Sequence, residues 1–262
     1  MELKGKWALI TGASSGLGVD FARELAQRGM NLVLVARRED QLRTIALSLE
    51  KAHGIQTMVV PMDLGAPDVG QALQGRLTAE GIRPAVLINN AGYGVYGLET
   101  ELPWDRVKAM MELDMITLVD LSRRFAKEMA AQGFGRILQV SSIGAFSPTP
   151  TYAAYAAAKA FVLSYSEALS YELKDTGVTS TALCPGITAT EFLKVSGQKA
   201  TPYQRLVMMK SADVARIGIR AMLRGRRSVV PGVMNTLTAW STRLMPRRVS
   251  TWVSYLLMKQ AA

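Results

Sequence analysis

Trp7-Ala8-Leu9-Ile10 runs directly into Thr11-Gly12-Ala13-Ser14-Ser15-Gly16-Leu17-Gly18, and apolar residues then recur at helical spacing. A short apolar run, a glycine-rich corner and an amphipathic continuation spell a buried strand, a tight turn and a helix N-terminus. Such a corner binds phosphate. Glycine lets the backbone approach a pyrophosphate closely, and the unpaired N–H groups and positive dipole end of the helix meet its charge. The spacing, G-x-x-x-G-x-G, is longer in its first gap than the familiar G-x-G-x-x-G. A glycine corner alone can also serve sterics. Its position at the head of an alternating chain favours the nucleotide reading.

Working outward, short apolar segments alternate with amphipathic ones. Strands are expected at 7–11, 31–36, 56–61, 85–89, 135–140, 178–184 and 228–230, and helices at 16–28, 39–53, 67–80, 104–131, 152–174 and 211–223. This alternation is the signature of an α/β fold, a parallel sheet covered on both faces. The interval 104–131 has the length of two helices. Residues 187–210, with Gly197, Pro202 and scattered polar residues, read as a mobile connection. Without repeats or a low-complexity linker, residues 1–230 read as one domain, and 231–262 as a basic, apolar helical extension of it.

The end of the second strand indicates which nucleotide. A chain that binds NAD places Asp or Glu about twenty residues past the glycine turn to hold the ribose hydroxyls. Here that place reads Ala36-Arg37-Arg38. Guanidinium groups match a 2′-phosphate by charge and by their forked donors, so NADP(H) is expected, with Ser14 able to add a hydroxyl.

Further on, Ile137 to Val140 end in Ser141-Ser142, Tyr155 follows, and Lys159 comes four residues later. Tyr and Lys at i and i+4 share a helix face, and a nearby ammonium favours ionisation of a phenol. A serine at the end of the preceding strand can hold a substrate oxygen.

Together with Asn89-Asn90-Ala91-Gly92 and Pro185-Gly186, these motifs, in this order and spacing, resemble the short-chain dehydrogenase/reductase superfamily over about residues 5–230. The resemblance implies a Rossmann-type, doubly wound parallel sheet of seven strands with helices on both faces, binding NADP(H). It implies that Tyr155 exchanges a proton with a carbonyl or alcohol oxygen, that Lys159 lowers the phenol's pKa and holds the nicotinamide ribose, and that Ser142 orients the carbonyl. Cofactor contacts are implied at Gly12, Ser14, Ser15, Gly16, Leu17, Gly18, Arg37, Arg38, Asp63, Asn90, Ala91, Gly92, Tyr155, Lys159, Pro185, Gly186, Ile187 and Thr188. Asp63 would meet the adenine, Asn90 the adenosine ribose, and Ile187 and Thr188 the carboxamide. Asn90 and Gly92 also suit a turn, and Asp63 a cap. Tyr152 lacks a lysine four residues on and is expected to pack or to line the entrance.

One position departs from the family. Asp114 stands where the family carries an Asn that helps hold a water joining the lysine to solvent. An aspartate keeps an acceptor but adds charge. Near Lys159 it would offset the field acting on Tyr155 and move the working pH upward, so Asp114 joins the catalytic candidates.

Composition narrows the remaining classes. A 49% hydrophobic and 20% charged chain is globular. The single Cys184 and single His53 exclude an internal disulfide and a cysteine or histidine metal cluster. The apolar run at Trp7 to Ile10 is too short for a signal-peptide core, and no uninterrupted run reaches membrane-spanning length, so a cytoplasmic protein is expected. The net charge of +10 raises the question of anionic partners. Arg224, Arg226, Arg227, Arg243, Arg247, Arg248 and Lys259 are interleaved with Trp240, Leu244, Met245, Trp252, Leu256, Leu257 and Met258. That mixture fits a membrane-surface or partner-binding helix better than a nucleic-acid patch. A segment packed on its own domain or on a sister subunit is an equal reading.

Pocket residues that the resemblance assigns to substrate are Ile143, Ala145, Phe146, Tyr93, Val95, Tyr96, Phe192, Leu193 and Val195, which suit an apolar ketone, aldehyde or alcohol. Small residues from Ala153 to Ala160 permit close helix approach. The corresponding helix forms subunit interfaces in the family, so a homodimer or homotetramer is expected. An NADP(H)-binding sensor or scaffold and a tail-driven peripheral membrane protein stand as rival functions.

Overall fold

The computed structural model describes residues 3–259, Pro202 and Tyr203 by their backbone alone, so the ends of the expected domain and extension, 1–2 and 260–262, lie outside the described residues. The elements follow in the order β1 (Trp7–Thr11), α1 (Gly16–Ala26), β2 (Asn31–Ala36), α2 (Glu39–His53), β3 (Thr57–Pro61), α3 (Val69–Ala79), β4 (Pro84–Asn89) and α4 (Trp104–Met111). Then come α5 (Leu118–Ala131), β5 (Gly135–Val140), α6 (Ala153–Glu172), β6 (Val178–Leu183), β7 (Thr188–Ala189), α7 (Phe192–Ser196), α8 (Pro202–Val207) and β8 (Met209–Lys210). The chain closes with α9 (Ser211–Leu223), β9 (Ser228–Val229), α10 (Val233–Ser241) and α11 (Arg247–Met258).

Seven strands form one parallel sheet in the order β3-β2-β1-β4-β5-β6-β9, so the expected doubly wound Rossmann-type sheet is what the chain forms. Alternation along each strand builds two cores. Ala8, Ile10, Leu32, Leu34, Val86 and Ile88 join Phe21, Leu25, Val214 and Ile219 of α1 and α9. Leu9, Val33, Val35 and Leu87 turn the other way, onto Leu73 and Leu77 of α3 and Phe125 and Met129 of α5. Burial on both faces explains why these strands read as continuous apolar runs. The strand order reverses between β1 and β4, which opens a crevice beyond their carboxyl ends.

One expectation changes. Residues 187–210 are not a structureless connection. β7 pairs with β8, and α8 starts in a capping box between Thr201 and Gln204. Elements of two to six residues are too short to show a period in sequence. The long interval 104–131 does hold two helices, joined by a π-helical turn at Glu112–Thr117 rather than by a loop. No helix among the described residues is long and apolar enough to cross a membrane.

Candidate active site

The chain leaves β1 at Thr11 and turns on Gly12 (φ 66°) and Gly16 (φ 53°), left-handed values that glycine adopts without strain. A Cβ on Gly18 would stand 2.1 Å from the Gly12 carbonyl oxygen, so the first turn of α1 closes on the corner only because position 18 carries no side chain. Ser14, Ser15, Gly16 and Leu17 face the cavity, and Ser15 leaves the helix N-terminus uncapped by its side chain. Thr11, which the sequence reading passed over, ties this corner to β4. Its Oγ1 accepts from the backbone N–H of Asn90 (2.9 Å) and Ala91 (3.0 Å) and donates to the Ile88 carbonyl (3.2 Å). The Asn90 amide donates back to the carbonyls of Thr11 (2.9 Å) and Gly12 (3.2 Å). Asn90 thus braces the glycine turn as well as lining the cavity.

Beyond β2, Arg37 and Arg38 both line the same cavity. Arg38 donates to Ser14 Oγ (3.2 Å) and pairs with Glu191 (3.2 Å), an exposed contact that a competing phosphate displaces at little cost. Asp63 sits exposed at the cavity edge, its Oδ1 accepting from Gly65 N–H (3.0 Å). A close-packed glycine corner, an open helix N-terminus and two guanidiniums with no carboxylate at the β2 end form a cradle that fits a 2′-phosphorylated dinucleotide.

At the other end of the crevice, β5 delivers Ser141 and Ser142. Ser141 Oγ donates to the Lys159 carbonyl (2.7 Å), fixing α6 against the strand, while Ser142 Oγ accepts from Gly144 N–H (3.1 Å) and stands near enough to the Tyr155 hydroxyl to favour its ionisation. Lys159 is 5% exposed; its ammonium donates to the Val140 carbonyl (3.2 Å) and lies 5.6 Å from the centre of the Tyr155 ring.

The same ammonium stands 2.9 Å from Oδ2 of Asp114, which is wholly buried on the π-helical turn. Asp114 Oδ1 accepts from Tyr93 N–H (3.2 Å). A Cβ on Gly92 would fall 2.6 Å from that oxygen, so Gly92 makes room for the carboxylate. Burial pushes the Asp114 carboxyl above its usual range, against the pull of Lys159. Burial also pushes the Tyr155 hydroxyl up, and the Asp114 charge adds to the rise while the Ser142 hydroxyl opposes it. Burial of the phenol first, and the Asp114 charge second, thus oppose the acidification expected from Lys159.

Pro185, Gly186, Ile187 and Thr188 follow β6 into the cavity wall. Gly186 is pressed by Asn235 of α10, whose amide donates to the Pro231 carbonyl (2.8 Å); a Cβ there would lie 2.5 Å from Asn235 Oδ1. Apart from Gly18 and Asp114, which are buried behind its wall, the expected cofactor and catalytic residues line one cavity of about 730 Å³.

Of the expected substrate residues, Tyr93, Ile143, Phe146, Phe192, Leu193 and Val195 line it, whereas Ala145, Val95 and Tyr96 do not. Val95 is packed with Val107 and Met110, and Tyr96 stacks on Tyr152 at 5.3 Å. Tyr152 lines the cavity, its hydroxyl shared between Ser196 Oγ (2.8 Å) and Gln198 Oε1 (3.0 Å). The C-terminal segment packs on its own domain and roofs the cavity with Met245 and Leu257, which the sequence reading named, and with Ala239 of α10, Thr242 just after it, and Val253 and Ser254 of α11, which it did not. Among the described lining residues, the roofed end holds no charged side chain apart from Lys159.

The model of the family described as short chain dehydrogenase matches residues 6–201. The very-long-chain 3-oxoacyl-CoA reductase of Rattus norvegicus is 27% identical over 93% of this chain and 76% of its own. The 7beta-hydroxysteroid dehydrogenase of Collinsella aerofaciens is 32% identical over 73% of this chain and 72% of its own. A solved short-chain dehydrogenase from Sphingobium yanoikuyae in complex with NADPH superposes with a TM-score of 0.83 at 29% identity, covering 98% of both chains. With that match, and with the glycine corner and the Ser142, Tyr155 and Lys159 cluster at the two ends of one crevice, the chain belongs to the short chain dehydrogenase family of oxidoreductases.

Proposed function

We propose that this protein is an NADPH-dependent reductase of bulky apolar ketones or aldehydes, or a dehydrogenase running in reverse, with Ser142, Tyr155 and Lys159 as its catalytic set. The observation that carries the reading is the junction of that cluster with a roofed cavity end lacking other charge. Two relatives, one named for a very-long-chain 3-oxoacyl-CoA, whose acyl chain is apolar, and one for a hydroxysteroid, support the substrate class.

NADP(H) is the cofactor; when bound, it supplies or accepts the hydride. The glycine corner, Ser14, Arg37 and Arg38 would hold its phosphates, Asp63 and Asn90 its adenosine half, and Ile187, Thr188 and Lys159 its nicotinamide half. Ser142 orients the carbonyl oxygen, and Tyr155 donates its phenolic proton to that oxygen as the alcohol forms. Ser142 and Lys159 then stabilise the phenolate. Asp114 acts through Lys159, as a positioning residue that sets how much of the ammonium's charge Tyr155 feels.

The experiment is NADPH oxidation against a panel of apolar ketones and aldehydes, repeated with Tyr155→Phe. Turnover that falls at least about a thousandfold in the variant, the middle of the range for general acid–base catalysis, is expected. Equal turnover in both proteins would remove Tyr155 from the chemistry.

A second reading, an NADP(H)-binding sensor or scaffold with weak turnover, draws on the Lys159–Asp114 pair, which withholds charge from Tyr155. Cofactor binding without turnover on any carbonyl would select it. Assembly as a homodimer or homotetramer belongs to the first reading, through the exposed side of α6 that carries Ala153, Ala157 and Phe161. Peripheral contact with a membrane through the segment after Pro231 is compatible with either reading.

A further inference from the structure

The helices that roof the cavity are apolar on both sides. Ala239, Val253 and Leu257 face inward onto the cavity. Opposite them, Leu237, Trp240 and Leu244 are 55%, 57% and 72% exposed, and Val249, Trp252 and Leu256 are 44%, 61% and 52% exposed. On each side of the turn the outer residues recur every three or four positions, so the two helices each present an exposed apolar row. Exposed apolar rows of this kind mark a place of interaction.

Charge identifies the occupant. Nine basic residues, from Arg216 to Lys259, and no acidic residue follow Asp213, so nearly all of the chain's net +10 lies in this last segment. Arg243, Arg247 and Arg248 are exposed beside the outer rows, at the turn between the two helices. We infer that this face docks on a bilayer bearing anionic lipid, with Trp240 and Trp252 entering the boundary between headgroups and acyl chains. The roofed end of the cavity then lies directly beneath the docked face and receives its apolar substrate from the bilayer. This last step rests on the reductase reading, while the docking does not.

A second copy of the chain is the poorer occupant. A two-fold contact would set the arginine row against its own image, whereas the exposed Ala153, Ala157 and Phe161 of α6 offer an uncharged strip for that purpose.

The test uses the full-length protein with phosphatidylglycerol vesicles and phosphatidylcholine vesicles in flotation, and tryptophan quenching by brominated acyl chains. Binding at least tenfold tighter to phosphatidylglycerol is expected. It should weaken at least tenfold in Arg247→Glu/Arg248→Glu, and quenching should largely disappear in Trp240→Phe/Trp252→Phe. Each variant should retain NADPH turnover on a small water-soluble ketone, which shows that it is folded. Equal binding to both vesicles, no binding to either, or a Trp252→Ser variant that turns a dimer into a monomer without changing vesicle binding would overturn the docking. Vesicle binding by a protein that turns over no carbonyl supports the docking and overturns the reductase reading instead.

Discussion

The carboxylate of Asp114 and the ammonium of Lys159 lie 2.9 Å apart with almost no solvent between them and the protein core. The pair forms because a π-helical turn pushes residue 114 inward and Gly92 leaves the space to receive it. π-Turns of this kind occur often at functional sites. Its electrostatic consequence is felt by Tyr155, whose phenol is held above its ordinary value by burial and by the same carboxylate.

Asp114→Asn tests this coupling. The amide keeps one oxygen for Lys159 and gives up the acceptor that Tyr93 N–H uses, while the charge is removed, so the Tyr155 hydroxyl falls in pKa. In the alcohol-oxidation direction, where the phenolate is the base, the ascending limb of kcat/KM against pH should move to lower pH. A limb that stays in place would take Asp114 out of the field acting on Tyr155.

Arg37→Ser/Arg38→Ser should weaken NADPH selectively. A lost charge-assisted hydrogen bond to a phosphate costs roughly 1.5–3 kcal/mol, or about tenfold to a hundredfold in kcat/KM. Steady-state kinetics with NADH should change far less, because no 2′-phosphate is then present to miss the guanidiniums. An equal loss with both cofactors would assign the two arginines a structural role only.

Thr151 is a β-branched residue at φ 72°, immediately before Tyr152, and its Oγ1 is buried without a hydrogen-bond partner. Left-handed backbone at such a residue stores about 1–2 kcal/mol. Thr151→Gly should therefore be more stable than Thr151→Ala by roughly 1 kcal/mol, seen as a higher midpoint in urea at unchanged slope. Equal midpoints would show that the conformation costs nothing.

Much of this was legible before the structure. Strands such as Leu32–Val35 announce themselves because burial on both faces leaves an unbroken apolar run, and Gly12, Gly16 and Gly18 because few other residues fit that corner. Ser142, Tyr155 and Lys159 are set by fixed spacing across one strand and one helix. The contact between Asp114 and Lys159 was foreseen as a proximity but not as a direct pair, since a π-turn has no sequence period of its own. Thr11 was invisible because its role is to bond a strand end 79 residues away, at Asn90. Residues 187–210 misled because their helices and strands are shorter than any window in which periodicity can be read.

Cys184 is fully buried at the end of β6, and burial pushes its thiol up to about 12. A thiol reagent at neutral pH should leave it untouched until the protein unfolds. The sign for stability follows: the unfolded thiol ionises near its reference value of about 8.5 while the folded one stays protonated, so the folded state binds more protons and stability falls as pH rises from about 9 towards 12. In Cys184→Ala that alkaline decline should be shallower by up to about 1.4 kcal/mol per pH unit, measured by urea unfolding at pH 8 and pH 10.

The sheet is complete at Val229, and α10 and α11, which roof the cavity, are assembled from what comes afterwards. Proton and hydride handling are thus encoded upstream of much of the wall that selects the molecule handled. A different sequence after Val229 would reshape that wall while leaving Ser142, Tyr155 and Lys159 on the same strand end and helix.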